Sequence, residues 1–133
     1  MESQRVILVD GASGRVAAGG HAAIECRGID QATGNEVFRV GPLYGGTNNA
    51  AEFLAIVLGL KLDESALIMS DCLTAIAWVR RCRTKDVARY VGACRNRVEN
   101  ATAWLQSHPR AHKRVAWWET IRLGEIPADF GRK

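Results

Sequence analysis

The chain has 133 residues, of which 47% are hydrophobic and 24% are charged, enough apolar sequence to bury a sizeable core. Its 18 Lys and Arg residues outnumber 14 Asp and Glu residues, and the resulting net charge of +4 is compatible with a polyanionic partner. No apolar run approaches the ~18 residues of a membrane span, which excludes a membrane protein of that kind. We therefore predict a single globular domain over residues 1–133.

The cysteines indicate a reducing compartment. The chain has 4 of them, with no C-x-x-C pair and no histidines at metal-ligand spacing. No secretory signal pattern opens the sequence. We interpret these cysteines as reduced thiols and predict a cytoplasmic protein with no membrane association and no obligate protein partner.

The first 40 residues predict three strands of an antiparallel meander. Residues 5–9 form a β-branched run, and the turn residues that follow should end it, which places Asp10 at the end of a central strand. Residues 17–27 and 36–40 are interpreted as strands two and three, with turn chemistry at residues 33–35 between them.

A loop over residues 41–46 precedes a helix that is almost wholly apolar and ends near residue 62. Asn49 is a good N-cap for this helix, and Glu52 three residues later can reach back to it. A second interpretation starts from the position of Glu52 at the rim of a core, where a carboxylate usually has a partner such as a metal ion. Both interpretations of Glu52 stay open at this point.

The second half predicts a short strand over residues 66–71, with Asp71 at its carboxyl end, and a helix that starts directly afterwards. A longer amphipathic helix follows over residues 87–106, then a last strand over 114–119 and a terminal turn or short helix over 124–130. The helix after Asp71 ends in a basic patch: Arg80, Arg81, Arg83 and Lys85. The predicted order is βββαβααβ with a small final element.

Four acids are candidate metal ligands: Asp10, Glu52, Asp71 and Asp129. If the strands that carry Asp10 and Asp71 are parallel neighbours, the helix between them is the crossover, and its Glu52 approaches the same sheet edge. Converging carboxylates repel unless cations are present, and hard oxygen ligands suit Mg²⁺ or Mn²⁺. Two such ions can flank a scissile phosphate, so the implied chemistry is phosphodiester hydrolysis.

Each acid also has an ordinary interpretation. Asp10 can form a turn, Asp71 can cap the next helix, Glu52 can complete a cap, and Asp129 can be a solvated charge. What favours the metal site is that all four occur in this order in this topology.

Three motifs resemble those of type I ribonuclease H, and the resemblance covers nearly the whole chain. They are the Val9-Asp10-Gly11 turn, the Thr47-Asn48-Asn49-Ala50-Ala51-Glu52 helix entry and the Met69-Ser70-Asp71 strand end. The resemblance implies an α/β fold with a five-stranded mixed sheet of order 32145 and helices on both faces. It also implies two Mg²⁺ or Mn²⁺ ions held by Asp10, Glu52, Asp71 and Asp129. The implied activity is endonucleolytic hydrolysis of the RNA strand of an RNA/DNA hybrid, leaving 5′-phosphates.

The resemblance also implies contacts with the hybrid. Asn48 and Asn49 would contact base edges and 2′-hydroxyls, and Thr47 would help to hold a DNA phosphate. Amide side chains both donate and accept, which suits the 2′-hydroxyl that distinguishes RNA from DNA. Backbone amides near Gly11 and Ala12 would meet the RNA strand.

The chain departs from the family pattern at several positions. Gly45 stands where members often carry Arg, and Cys72 follows the second aspartate where Ser is common. No histidine lies in residues 120–128, where Glu125 is the titratable acid that could substitute. The alternatives are a nuclease of the same fold for DNA junctions or structured RNA, and a non-catalytic nucleic-acid-binding module.

Overall fold

A computed structural model of the chain describes residues 4–14, 22–85 and 89–131. Parts of the predicted second strand and of the predicted long helix lie outside these ranges. The described elements are β1 Val6–Ser13, β2 Ala22–Asp30, β3 Glu36–Gly46, α1 Asn48–Leu62, β4 Leu67–Ser70, α2 Leu73–Arg81, α3 Gly92–Ser107, a 3₁₀ turn Ala111–Arg114, β5 Val115–Trp117 and α4 Thr120–Leu123.

The five strands form one mixed sheet in the order β3-β2-β1-β4-β5. β1, β2 and β3 make the predicted antiparallel meander, whereas β4 pairs parallel to both β1 and β5. The sequence-based prediction of order 32145 is therefore confirmed. Because β1 and β4 are parallel neighbours, α1 crosses over the sheet between β3 and β4.

Helix α1 is the centre of the core, since it packs on the sheet and is covered in turn by α2 and α3. This enclosure explains why its sequence is apolar almost all round instead of on one stripe. Phe53 of α1 meets Trp78 of α2 edge to face, with ring centroids 6.3 Å apart. Arg114 donates hydrogen bonds to carbonyl oxygens at the carboxyl end of α1. Within the described ranges, no helix combines the length and apolarity needed to cross a membrane.

The opposite face of the sheet carries the segment after α4. Cys26 of β2 faces α1, because its thiol donates to the carbonyl oxygen of Ala51. Side chains alternate along a strand, so Arg27 projects from the other face. There its guanidinium contacts the final segment, in which Ile126 and Ala128 are buried.

Three local predictions are corrected. β1 continues to Ser13 because residues 10–13 stay paired with β2, so Asp10 lies inside the strand and not at its end. β3 extends through the predicted loop to Gly46, with register shifts along its pairing with β2. Thr47, not Asn49, is the N-cap of α1, since its hydroxyl accepts from the Ala50 amide at 3.2 Å. In each case pairing or packing outweighs a local turn or cap signal.

Candidate active site

Asp10 and Asp71 lie side by side because of the register of two parallel strands. Leu8 of β1 is aligned with Met69 of β4, which is the last aligned pair between these strands. Asp10 follows Leu8 by two residues, where β1 is still paired with β2. Asp71 follows Met69 by two residues, directly after the end of β4. Asp10 is fully buried, with 0% exposure, and Asp71 is half-buried. The register therefore places two carboxylates at one edge of the β1–β4 pair.

Glu52 reaches this edge because the first turn of α1 lies directly on the backbone of β1. Its Oε1 accepts a hydrogen bond from the Gly11 N–H at 2.5 Å, and Glu52 is 3% exposed. A Cβ atom at Gly11 would overlap the backbone of Ala51 and Glu52, so only glycine allows this approach.

Burial raises the pKa of the Cys26 thiol well above its ordinary value, so Cys26 keeps the proton that it donates to Ala51.

Replacing Gly11 by alanine should therefore push α1 away from β1. We expect the free energy of unfolding to fall by about 3 kcal/mol, the upper part of the usual range for overpacking. Binding of Mn²⁺ should weaken as well, because Glu52 moves with the helix. Urea denaturation and titration calorimetry measure the two effects. Gly14→Ala is the matched control, since a Cβ there would lie an ordinary 3.7 Å from the nearest atom, the Ala23 carbonyl oxygen. Equal stability of the two variants would contradict the close approach.

Asp10, Glu52 and Asp71 together form a cluster in which one carboxylate oxygen of each lies within 4.8 Å of the others. Two of the three residues are buried, so water screens their mutual repulsion poorly. A divalent cation would remove that repulsion. The donor set fits Mg²⁺ or Mn²⁺, because all three donors are hard, anionic oxygens on rigid elements and neither sulfur nor imidazole belongs to the cluster.

Asp129, the fourth predicted ligand, does not belong to this cluster, but the residue that follows it in the chain contacts Asp10. Its neighbour Phe130 donates its backbone N–H to Asp10 Oδ2 at 3.1 Å. The Asp129 carboxylate itself accepts from the Gly131 N–H at 3.0 Å. The structure therefore brings the segment that carries Asp129 to the site, and a role of its side chain as a ligand stays a prediction.

The predicted hybrid-contacting residues Thr47, Asn48 and Asn49 occupy the same end of α1 as Glu52. Thr47 and Asn49 are exposed and Asn48 is half-buried. The Asn48 side-chain oxygen accepts from the Ser13 N–H at 3.3 Å, and the Asn49 oxygen lies 3.9 Å from the Cys72 thiol that donates to it. Each oxygen therefore already accepts one hydrogen bond within the protein, and each side chain also carries two amide N–H donors that it can offer to a ligand.

Cys72 links two parts of the site in a way that the sequence did not reveal. It is the N-cap of α2, where its sulfur accepts from the Ala75 N–H at 3.5 Å, and the same thiol donates to Asn49. Thiols are not typical caps, so no sequence signal pointed to this role. All four cysteines of the chain are free thiols.

Gly11 and Ala12 are the residues whose backbone amides are predicted to meet the RNA strand. Both are buried within β1, and the Gly11 N–H is bonded to Glu52, not directed at an open surface. The bond to Glu52 occupies the Gly11 amide, and a contact of the backbone amides near Gly11 and Ala12 with RNA stays a prediction. The glycine is needed for a different reason, the close approach of α1.

Neither the basic patch nor Glu125 belongs to the carboxylate cluster. Arg80, Arg81, Arg83 and Lys85 are exposed at the end of α2 and just beyond it. The last three of these line a cavity of about 430 Å³ together with Trp78 and Thr84. Glu125 is exposed in the segment after α4. Their predicted roles in substrate binding and product release stay predictions.

Comparison with known proteins identifies the fold. No protein-family model matches the chain. The chain is similar to the crystal structure of RNase H1 from the halophilic archaeon Halobacterium salinarum, with a TM-score of 0.50 and 13% identity over 95% of this chain and 93% of that one. Two further solved structures are similar. The N-terminal RNase H domain of a Mycobacterium tuberculosis protein, fused to maltose-binding protein, has a TM-score of 0.46 and 17% identity over 86% and 85% of the two chains. LC11-RNase H1, isolated from compost, has a TM-score of 0.44 and 17% identity over 92% of each chain.

The sheet order and the first of these similarities define the class of fold: the chain has a ribonuclease H-like α/β fold. Within that class, the predicted resemblance to the type I enzymes is confirmed at the level of the fold. Identities of this size show architecture alone, so activity must be argued from the site.

Proposed function

We propose that the protein is a metal-dependent endonuclease that hydrolyses the RNA strand of RNA/DNA hybrids with two Mg²⁺ or Mn²⁺ ions. The observation that supports it is the cluster of Asp10, Glu52 and Asp71, whose oxygens lie within 4.8 Å of one another on a ribonuclease H-like fold. Buried carboxylates this close cost stability unless a cation is bound. A cluster kept at that cost implies a use.

The chain's own contribution to such a reaction is to hold the ligands in place. Asp10, Glu52 and Asp71 would hold the ions, and Asp129 is proposed as a fourth ligand. When bound, the ions would activate a water molecule and stabilise the charge that develops on the phosphate. The Gly11 N–H orients Glu52, and the Phe130 N–H orients Asp10, so two of the carboxylates are fixed by backbone hydrogen bonds. Ligands fixed in this way need little reorganisation when substrate arrives.

Recognition of the hybrid is proposed for the residues at the start of α1. Thr47, Asn48 and Asn49 lie three to five residues before Glu52 at the start of α1, so a strand that they contact would pass close to the carboxylates. The amide N–H donors of the asparagines suit 2′-hydroxyls and base acceptors. The exposed basic patch after α2 would add phosphate contacts, which supply most of the affinity in such complexes. The four free thiols fit the proposed cytoplasmic setting.

Cleavage assays on matched duplexes test the proposal. We expect the RNA strand of an RNA/DNA hybrid to be cut in Mg²⁺ or Mn²⁺, and RNA/RNA and DNA/DNA duplexes of the same sequence to remain intact. EDTA should abolish cleavage, and the products should carry 5′-phosphates. Cutting of a duplex other than the hybrid would favour a nuclease for another structured nucleic acid. Binding without cleavage of any duplex would favour the non-catalytic module.

A further inference from the structure

The segment after α4 forms a strap that contacts Asp10. The strap is residues 126–130, and it lies on the face of the sheet opposite α1. Its Phe130 N–H donates to Asp10 Oδ2 at 3.1 Å. Because Asp10 is fully buried, the direction of this hydrogen bond depends on where the strap is held.

Arg27 of β2 makes the polar contacts that hold the strap. Its guanidinium donates to three successive carbonyl oxygens, those of Pro127 at 3.5 Å, Ala128 at 2.6 Å and Asp129 at 2.9 Å. A planar guanidinium can satisfy several acceptors from one fixed position, which a lysine ammonium cannot do in the same geometry. The contacts therefore fix the backbone on both sides of Ala128.

Arg27 also holds the ring of Phe130. The Cζ atom of Arg27 lies 5.1 Å from the centroid of this ring, and the Cζ atom of Arg39 of β3 lies 5.4 Å from the same centroid. Cations at this distance from an aromatic ring attract it. Arg39 differs from Arg27 in its polar contacts, which go to the carboxylates of Glu36 at 2.6 and 3.3 Å and Glu25 at 3.5 Å.

The register of the sheet connects these contacts to the metal cluster. Arg27 is the direct partner of Asp10 across the β1–β2 pair. Directly opposed residues of antiparallel strands project from the same face. The strap therefore runs from Arg27 to Asp10 over a single pair of strands, and its Asp129 carbonyl is held by Arg27 immediately before the Phe130 amide that meets Asp10.

We propose that Arg27 is a positioning residue for the metal cluster: it holds the strap so that the Phe130 amide orients the Asp10 carboxylate and Asp129 stays beside it. This inference rests on the proposed function, since it assigns a role at the same site. Arg27 acts through the strap and does not itself hold an ion. Ile126 and Ala128 are 1% and 0% exposed, so the strap keeps apolar anchors when Arg27 is changed.

The test compares Arg27→Gln with Arg39→Gln, a matched control at the other side of the same ring. We expect Arg27→Gln to weaken Mn²⁺ binding, measured by titration calorimetry, by about tenfold. Substitution of residues that orient metal ligands commonly has an effect of this size. In the metal-free protein, the Phe130 amide should exchange faster with solvent. Arg39→Gln should leave both within about twofold of the wild type, because the three carbonyl contacts persist. Arg27→Lys should fall between the two.

The outcomes separate this inference from the proposed function. If the wild type binds Mn²⁺ and Arg27→Gln binds it as tightly, Arg27 has no positioning role, although the nuclease proposal stands. Unchanged exchange of the Phe130 amide in Arg27→Gln would overturn the inference in the same way. A wild type that neither binds Mn²⁺ nor cleaves a hybrid overturns both. Should Arg27→Gln not fold, Arg27→Lys supplies the same two measurements.

Discussion

Asp10→Asn should lower the rate of hybrid cleavage by about 1000-fold, equivalent to about 4 kcal/mol of lost transition-state stabilisation. Asparagine has almost the same shape as aspartate, but it lacks the negative charge that binds a divalent cation. Its side-chain oxygen can still accept the Phe130 N–H, so the strap should remain in place. Single-turnover cleavage of a labelled hybrid in Mg²⁺ and in Mn²⁺ measures the effect.

The same variant should respond differently to metal in stability measurements. Removing one of three clustered carboxylates relieves their repulsion, so in EDTA the free energy of unfolding of Asp10→Asn should equal or exceed that of the wild type. The stabilisation that added Mn²⁺ gives the wild type should be lost. Glu64→Gln is the control, because Glu64 is an exposed acid outside the cluster. Hybrid cleavage by Asp10→Asn at a wild-type rate would contradict the proposed function.

Arg114→Gln should have one of the two largest effects on stability of the changes considered. The Arg114 guanidinium donates to the carbonyl oxygens of Leu60 at 3.0 Å, Asp63 at 2.8 Å and Ala66 at 3.0 Å. These groups lie at and just beyond the carboxyl end of α1, where helix carbonyls lack partners within the helix and a cation is favoured. We expect a loss of about 3 kcal/mol in the free energy of unfolding. For a domain of this size, the melting temperature should fall by on the order of 10 °C.

Thermal and urea denaturation measure this change, and Lys113→Gln is its matched control. Lys113 is the exposed neighbour of Arg114, so its loss should shift the free energy of unfolding by less than about 0.5 kcal/mol. Arg114 lies just before the start of β5, whereas Asp71 follows the carboxyl end of the neighbouring parallel strand β4. Because the two residues lie at opposite ends of this strand pair, the Mn²⁺ affinity of the folded variant should stay unchanged. A stability loss no greater than that of Lys113→Gln would show that water replaces Arg114 without cost.

Much of the carboxylate cluster was predictable because parallel strands impose a simple rule. Asp71 ends a short apolar strand, and the apolar helix before it can only be a crossover if that strand is parallel to the first. Glu52 at the start of that helix then had to approach the same edge. The prediction of a three-carboxylate cluster therefore needed no knowledge of the exact strand ends.

The errors at Asp10, Asn49 and Gly11 have a common cause. Local turn chemistry suggested that β1 stops at Asp10, but pairing with β2 carries it to Ser13. Likewise Asn49 is a good cap in isolation, yet β3 extends to Gly46 and leaves Thr47 in the capping position. Gly11 was assigned to a turn, whereas the packing of α1 on β1 is what requires it. In each case a neighbour distant in the chain decided between local alternatives.

By itself, the sequence determined the element order, the apolar helix at the centre and the acids that could share one edge, because periodicity and residue type act locally. Only the tertiary structure decided which hydrogen bonds orient those acids. Phe130 reaches Asp10 across a separation of 120 residues, and Arg27 reaches Asp129 across 102. Contacts over such separations leave no periodic trace in the chain, since they depend on the register of β1 with β2 and on the path of the final segment over the sheet.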